Sequence, residues 1–209
     1  LPFELTDGQK KVVNEICFDL RAPYEMNRLL QGDVGSGKTI VATIAVVATA
    51  LTGKQAALMV PTEILAEQHM LTIEKLIQGT PLKAVLLTGS MNRSQKKRKE
   101  LLAQIESGEA NLVIGTHALF QQDVNFKELA FVVIDEQHRF GVQQRQALAG
   151  KGAGVNVLQM TATPIPRTLA ITAFGEMDTS ILSEIPRGRQ PIKTSWVREQ
   201  EMEQIFNFV

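Results

Sequence analysis

Eight consecutive residues, Gly32-Asp33-Val34-Gly35-Ser36-Gly37-Lys38-Thr39, fit the pattern G-x-x-x-x-G-K-[S/T] at every fixed position. Residues 26–31 read as a buried strand and residues 40–51 as an apolar helix, so strand, loop and helix follow in the order the pattern requires. A glycine-rich turn that only caps a helix is the plainer alternative, and the flanking elements weigh against it. Gly32, Gly35 and Gly37 reach backbone angles closed to other residues, which turns successive N–H groups inward as an anion nest. Lys38 adds a mobile positive charge, and the first turn of the following helix offers unpaired N–H donors at its positive end. This combination suits the β- and γ-phosphates of a nucleotide, with the Thr39 hydroxyl on Mg²⁺.

The rest of the chain has the means to build a domain around that loop. Its 209 residues, 44% hydrophobic and 21% charged, match an ordinary α/β globular domain and exclude disordered and collagen-like classes. The 22 basic and 22 acidic residues balance, so any nucleic-acid site must be local rather than a property of the whole surface. Cys17 stands alone, which fits a reducing, cytoplasmic setting. The longest apolar run, residues 40–51, falls well short of the ~20 residues that span a bilayer, and no membrane partner is expected. A start at Leu1 without an initiator methionine suggests a piece of a longer chain.

Hydrophobic periodicity predicts alternating helices and strands. A first helix begins near Thr6 or Asp7, with Val12, Val13, Ile16 and Leu20 as its apolar positions; on this reading Gln9 is a solvated helix residue. Strands are predicted over residues 56–60, 82–87, 110–114, 131–134 and 155–160, and helices over 64–77, 94–105 and 164–174. Three of these strands end in polar residues: Pro61-Thr62-Glu63, Thr88-Gly89-Ser90 and Gly115-Thr116-His117. In a parallel sheet such endings share one rim, here expected near the phosphate loop. The basic helix with Arg93, Lys96, Lys97, Arg98 and Lys99 reads by default as a solvated face.

A second signal is Phe131-Val132-Val133-Ile134-Asp135-Glu136, a buried strand that opens onto two carboxylates. Alone, the acidic pair is an ordinary helix cap. Joined to a phosphate loop, it reads differently: Asp135 holds Mg²⁺ through its water shell, and Glu136 orients or deprotonates the attacking water. His69 and His117 lack the clustered spacing of a metal site and read as core or surface histidines. Residues 185–191 have a linker's composition, followed by one further strand and one helix.

The runs GDVGSGKT, PTEILAEQH, LTGS, IGTHALFQ, IDEQHRFGVQQR, MTATPIPRTLA and GEMDTSILSEIPRGRQPIKT together resemble the RecG-type ATP-dependent DNA helicases of superfamily 2. The translocase of the transcription-repair coupling factor is the next resemblance. The likeness covers nearly the whole chain and implies an α/β, RecA-like P-loop NTPase domain: a mainly parallel sheet with helices on both faces. It implies ATP and Mg²⁺ as ligands, residues 1–186 as the first of two motor domains, and residues 187–209 as linker and start of the second. It places Lys38, Asp135 and Glu136 in catalysis, and Thr39 and Asp135 on the metal. Gln9 is implied on the adenine edge with Phe3 against the ring. Nucleic-acid contacts are implied for Pro61, Thr62, Glu63, Gly89, Thr116 and His117, and coupling of hydrolysis to movement for Gln137, His138, Thr161, Ala162 and Thr163. The implied partners are branched or forked DNA, a wedge domain and a second RecA-like domain. A non-catalytic nucleotide-binding scaffold is the alternative of another class; a GTPase switch lacks an N-K-x-D stretch.

Overall fold

A computed structural model describes residues 4–90, 95–136, 150–163 and 177–183. In chain order the elements are α1 (Asp7–Asp19), β1 (Asn27–Gly32), α2 (Lys38–Leu51), β2 (Gln55–Met59), α3 (Glu63–Ile77), β3 (Ala84–Leu87), α4 (Gln95–Ser107), β4 (Leu112–Gly115), a 3-10 turn (His117–Phe120), β5 (Leu129–Ile134), β6 (Asn156–Thr161) and β7 (Asp178–Leu182). The strands form one parallel sheet in the order β3-β4-β2-β5-β6-β1-β7. The predicted helix 164–174 and everything beyond Ser183, including the proposed linker, lie outside the described residues.

Burial on both faces explains the unbroken apolar runs. In β5, Phe131 and Val133 join a core with Val12 and Ile16 of α1, Val41 and Val46 of α2, and Ala66 and Ile73 of α3. Val132 and Ile134 point the other way, into a second core with Ile105 of α4 and Leu119 of the 3-10 turn. Each large side chain fully withdrawn from water contributes about 1.5–3 kcal/mol to this arrangement. Helices thus cover both faces, as expected. No helix among the described residues is long and apolar enough to cross a membrane.

Strand β7 was not foreseen, because Asp178-Thr179-Ser180 carries no apolar signal. Its polar residues are held by the Arg28 side chain of β1, which is largely buried. The Arg28 Nε donates to Asp19 Oδ2 at 2.7 Å and its Nη1 to Ser180 Oγ at 2.9 Å. Ser180 Oγ donates in turn to Glu15 Oε2 at 2.5 Å, and Asp178 lies 3.8 Å from Arg28 Nη2. One guanidinium therefore fastens α1 and β7 to β1, and its fork geometry and permanent charge suit it to a site with several acceptors.

Candidate nucleotide site and the adjoining rim

The phosphate loop joins β1 to α2. Gly35 and Gly37 take φ of 78° and 89°, in the left-handed region that favours glycine. Lys38 is 9% exposed, and its ammonium donates to Gly32 O at 2.6 Å and Asp33 O at 2.9 Å. Burial lowers its pKa below that of an ordinary lysine, against the upward pull of Asp135, Glu136 and Asp33. The carboxylates at the end of β5 thus lie within electrostatic reach of the loop lysine, although β6 separates the two strands in the sheet. The Ser36 hydroxyl is buried with no hydrogen-bond partner among the described residues, and Val34 and Thr39 face solvent.

Gln9 is 7% exposed and not solvated. Its backbone N–H donates to Thr6 Oγ1 at 3.2 Å, and its Oε1 accepts from Thr6 N at 3.1 Å, closing a capping box at the start of α1. Its remaining amide, Nε2, donates to Ser36 O at 3.1 Å and so clips α1 to the phosphate loop. The spacing T-x-x-Q was the available signal. Phe3, its implied companion at the adenine ring, lies outside the described residues.

A Cβ on Gly37 would overlap Gln9 Nε2, and the positive φ disfavours any L side chain there. Gly37→Ala should therefore lose the Gln9–Ser36 bond and cost about 2–3 kcal/mol of backbone and steric strain. A thermal melt should show the midpoint lowered by about 5–10 °C; an unchanged midpoint would mean that the loop accommodates the methyl elsewhere.

At the end of β5, the Asp135 N–H donates to Met59 O of β2 at 2.8 Å. The Glu136 N–H donates to Asp135 Oδ1 at 2.9 Å, and Glu136 itself adopts a φ of 52°, a left-handed conformation uncommon outside glycine. The other oxygen, Asp135 Oδ2, is 3.8 Å from Nε2 of His69, whose side chain is 9% exposed. His69 occupies the core-facing stripe Ala66-His69-Ile73-Ile77 of α3, and a polar residue on such a stripe was the unused sequence signal. No group of three or more His, Cys, Asp and Glu gathers among the described residues. The donors on offer are single: the Asp135 carboxylate and the Thr39 hydroxyl. That set suits Mg²⁺, which keeps several waters and takes few protein oxygens.

The ends of β2, β3 and β4 do share a rim, though β5 and β6 stand between β2 and β1, so this rim begins about three strand spacings, roughly 14 Å, from the phosphate loop. Thr62 caps α3 by accepting from Leu65 N at 3.3 Å, and Glu63 Oε1 accepts from Ser90 N at 2.8 Å. Hydrogen bonds from Ser90 hold the Glu63 carboxyl below its ordinary pKa, so this tie survives until the pH drops beneath the usual carboxylate range. A Cβ on Gly89 would sit 3.4 Å from the His117 ring and 3.5 Å from Glu63 Oε1, placing Gly89 between them. Pro61 is half-buried beside them, and the Thr116 hydroxyl is buried without a partner among the described residues. At the end of β6, Thr161 Oγ1 and Thr163 Oγ1 are hydrogen-bonded at 2.8 Å, with Ala162 between them. Gln137 and His138 lie outside the described residues, as does Arg93 of the basic helix. Within that helix, Arg98 is committed to Asp123 at 2.9 Å, while Lys96, Lys97 and Lys99 face solvent.

The chain as a whole is similar to known proteins. The chain is 60% identical over 205 residues to the ATP-dependent DNA helicase RecG of Staphylococcus epidermidis, covering 98% of this chain and 30% of that protein. It is 56% identical over 209 residues to the RecG of Bacillus subtilis, again spanning 30% of the relative's length. A structure of RecG bound to a three-way DNA junction superposes with a TM-score of 0.86 at 41% identity, covering all of this chain and 28% of that one. The family model for DEAD/DEAH box helicases matches residues 6–171, from the Thr6 cap past the end of β6, and the chain belongs to that family.

Proposed function

We propose that this chain is the ATP-binding motor half of a DNA helicase or translocase that couples ATP hydrolysis to the remodelling of branched DNA, such as stalled forks and Holliday junctions, in repair and recombination. The observation that carries the reading is the convergence of Lys38, Asp135 and Glu136 on one electrostatic site beside a rim of backbone amides and small hydroxyls. The loop residues Gly32 to Thr39 cradle the phosphates through their amides, and Lys38 exchanges its two carbonyl partners for phosphate oxygens. Thr39 and Asp135 would hold Mg²⁺, which neutralises charge on the transferring phosphoryl group. Glu136 accepts a proton from the attacking water. Gln9, held against the loop, faces the adenine.

Pro61, Thr62, Gly89, Thr116 and His117 suit sequence-independent contact with a phosphate backbone, since amides and hydroxyls position a duplex without reading bases. Glu63 serves the same surface indirectly, by ordering Ser90. Thr161, Ala162, Thr163 and, beyond the described residues, Gln137 and His138 link hydrolysis to movement. Residues 1–186 form this motor domain, and residues 187–209 lead toward a second one that supplies catalytic arginine, a contribution worth ~10³ or more in rate. A DNA partner of this kind suits a protein of the cytoplasm.

The test is ATP hydrolysis by the parent-length chain with a three-way junction, a linear duplex and no DNA. Junction DNA should stimulate turnover several-fold more than the duplex does. Equal rates under all three conditions would sink the remodelling activity and favour a nucleotide-binding scaffold; stimulation by linear duplex alone would favour a translocase of the transcription-repair coupling type.

A further inference from the structure

Asp135 has two carboxylate oxygens, and the structure accounts for them differently. Oδ1 is fixed by the neighbouring Glu136 amide at 2.9 Å, within the same turn of chain. Oδ2 faces His69 Nε2 at 3.8 Å, across from another element. That separation exceeds the ~2.7–3.2 Å of a formed N–H···O bond. A shift of α3 by less than 1 Å therefore makes or breaks a hydrogen bond to the carboxylate, and both side chains are largely buried, where a bond of this kind is strongest.

Helix α3 is also tied to the rim. Its N-terminus follows β2 after only Val60, Pro61 and Thr62. Thr62 caps it, and Glu63 in its first turn grips the Ser90 amide beyond β3, with Gly89 lodged against His117 beyond β4. Fewer than two helical turns separate Glu63 from His69, a rigid span of about 9 Å at 1.5 Å per residue. The same short rod thus touches the ends of β3 and β4 at one end and the carboxylate of β5 further along.

We infer that His69 is a positioning residue through which α3 transmits the state of the β2–β3–β4 rim to Asp135: occupation of the rim shifts α3, closes the His69–Asp135 gap and sets the carboxylate for its metal. The inference rests on the proposed nucleotide and DNA roles of the two ends. By thermodynamic reciprocity, DNA should then tighten binding of the metal–nucleotide complex, and the nucleotide should tighten binding of DNA by the same factor.

The experiment measures, for the parent-length protein, the affinity of Mn²⁺·ADP by electron paramagnetic resonance with and without junction DNA. The wild-type protein should bind about 5- to 10-fold more tightly with DNA present, within the usual range of coupling between sites. His69→Phe, which fills the space without offering an N–H, should bring that ratio to about one. His69→Gln, whose amide can donate in place of the imidazole, should restore most of it. A His69→Phe protein with the wild-type ratio overturns the inference, as does loss of coupling in Phe and Gln variants alike, which would assign His69 to packing. A wild-type ratio of one, with both ligands bound, overturns it while leaving the proposed function standing. Failure of the wild-type protein to bind Mn²⁺·ADP at all refutes the functional reading itself, and the inference falls with it.

Discussion

Lys38→Ala should leave the parent-length protein without measurable ATP turnover and weaken nucleotide binding by about 10- to 100-fold, the equivalent of losing about one charge-assisted hydrogen bond. The geometry explains why the loss exceeds that of a surface lysine. The ammonium is held by Gly32 O and Asp33 O inside the loop, so it reaches phosphate with little further ordering. It also carries a positive charge into a site that holds Asp33, Asp135 and Glu136. Without it, three carboxylates confront a polyanion with one fewer counter-charge among them. Calorimetric titration with Mg-ATP and a phosphate-release assay check both halves; substantial turnover in the variant would remove Lys38 from the chemistry.

Glu136→Gln should separate binding from catalysis. The change keeps size and shape and removes the proton acceptor, so turnover should fall by about 10²- to 10⁴-fold while nucleotide affinity stays within a few-fold of wild type. The backbone supports so selective an outcome. Glu136 sits at a φ of 52°, and its N–H holds Asp135 Oδ1; glutamine keeps both features. A non-glycine residue in that conformation costs of order 1–3 kcal/mol and is retained where surrounding structure over-determines it. Single-turnover hydrolysis, with affinity measured in parallel, distinguishes this from a scaffold, in which neither quantity would change.

The parts of this molecule legible from sequence are those whose determinants are local. A strand buried on two faces draws mostly apolar residues, so β2, β4 and β5 announce themselves, as do the apolar stretches inside β1 and β6, and the phosphate loop has its conformation written into glycine spacing. β7 is different, because Asp178 and Ser180 become strand residues only through Arg28, far away in the chain. Gln9 misled for the same reason: its place on α1 was clear, but a helix has no means of showing that a distant Ser36 carbonyl will cover its surface. Glu63 illustrates a third kind of gap. Its carboxylate accepts from the Ser90 amide and so ties α3 to the loop after β3, a link that the motif alone does not show. His69 is a core histidine without metal-site spacing, and the single carboxylate that it faces follows β5, far along the chain.

The sheet order has a consequence for how the protein is made. β1 is bordered by β6 and β7, both encoded far downstream of it, while β2 to β5 pair among themselves. On a ribosome adding about 5–20 residues per second, the phosphate-loop strand must wait roughly 6–25 seconds after synthesis before its first neighbour exists. During that interval Leu29 and Leu30, fully buried in the finished sheet, belong to an apolar segment with two open edges. Within this domain the phosphate loop is thus translated well before the strands that support it, so the loop gains its final setting only after β6 and β7 have emerged.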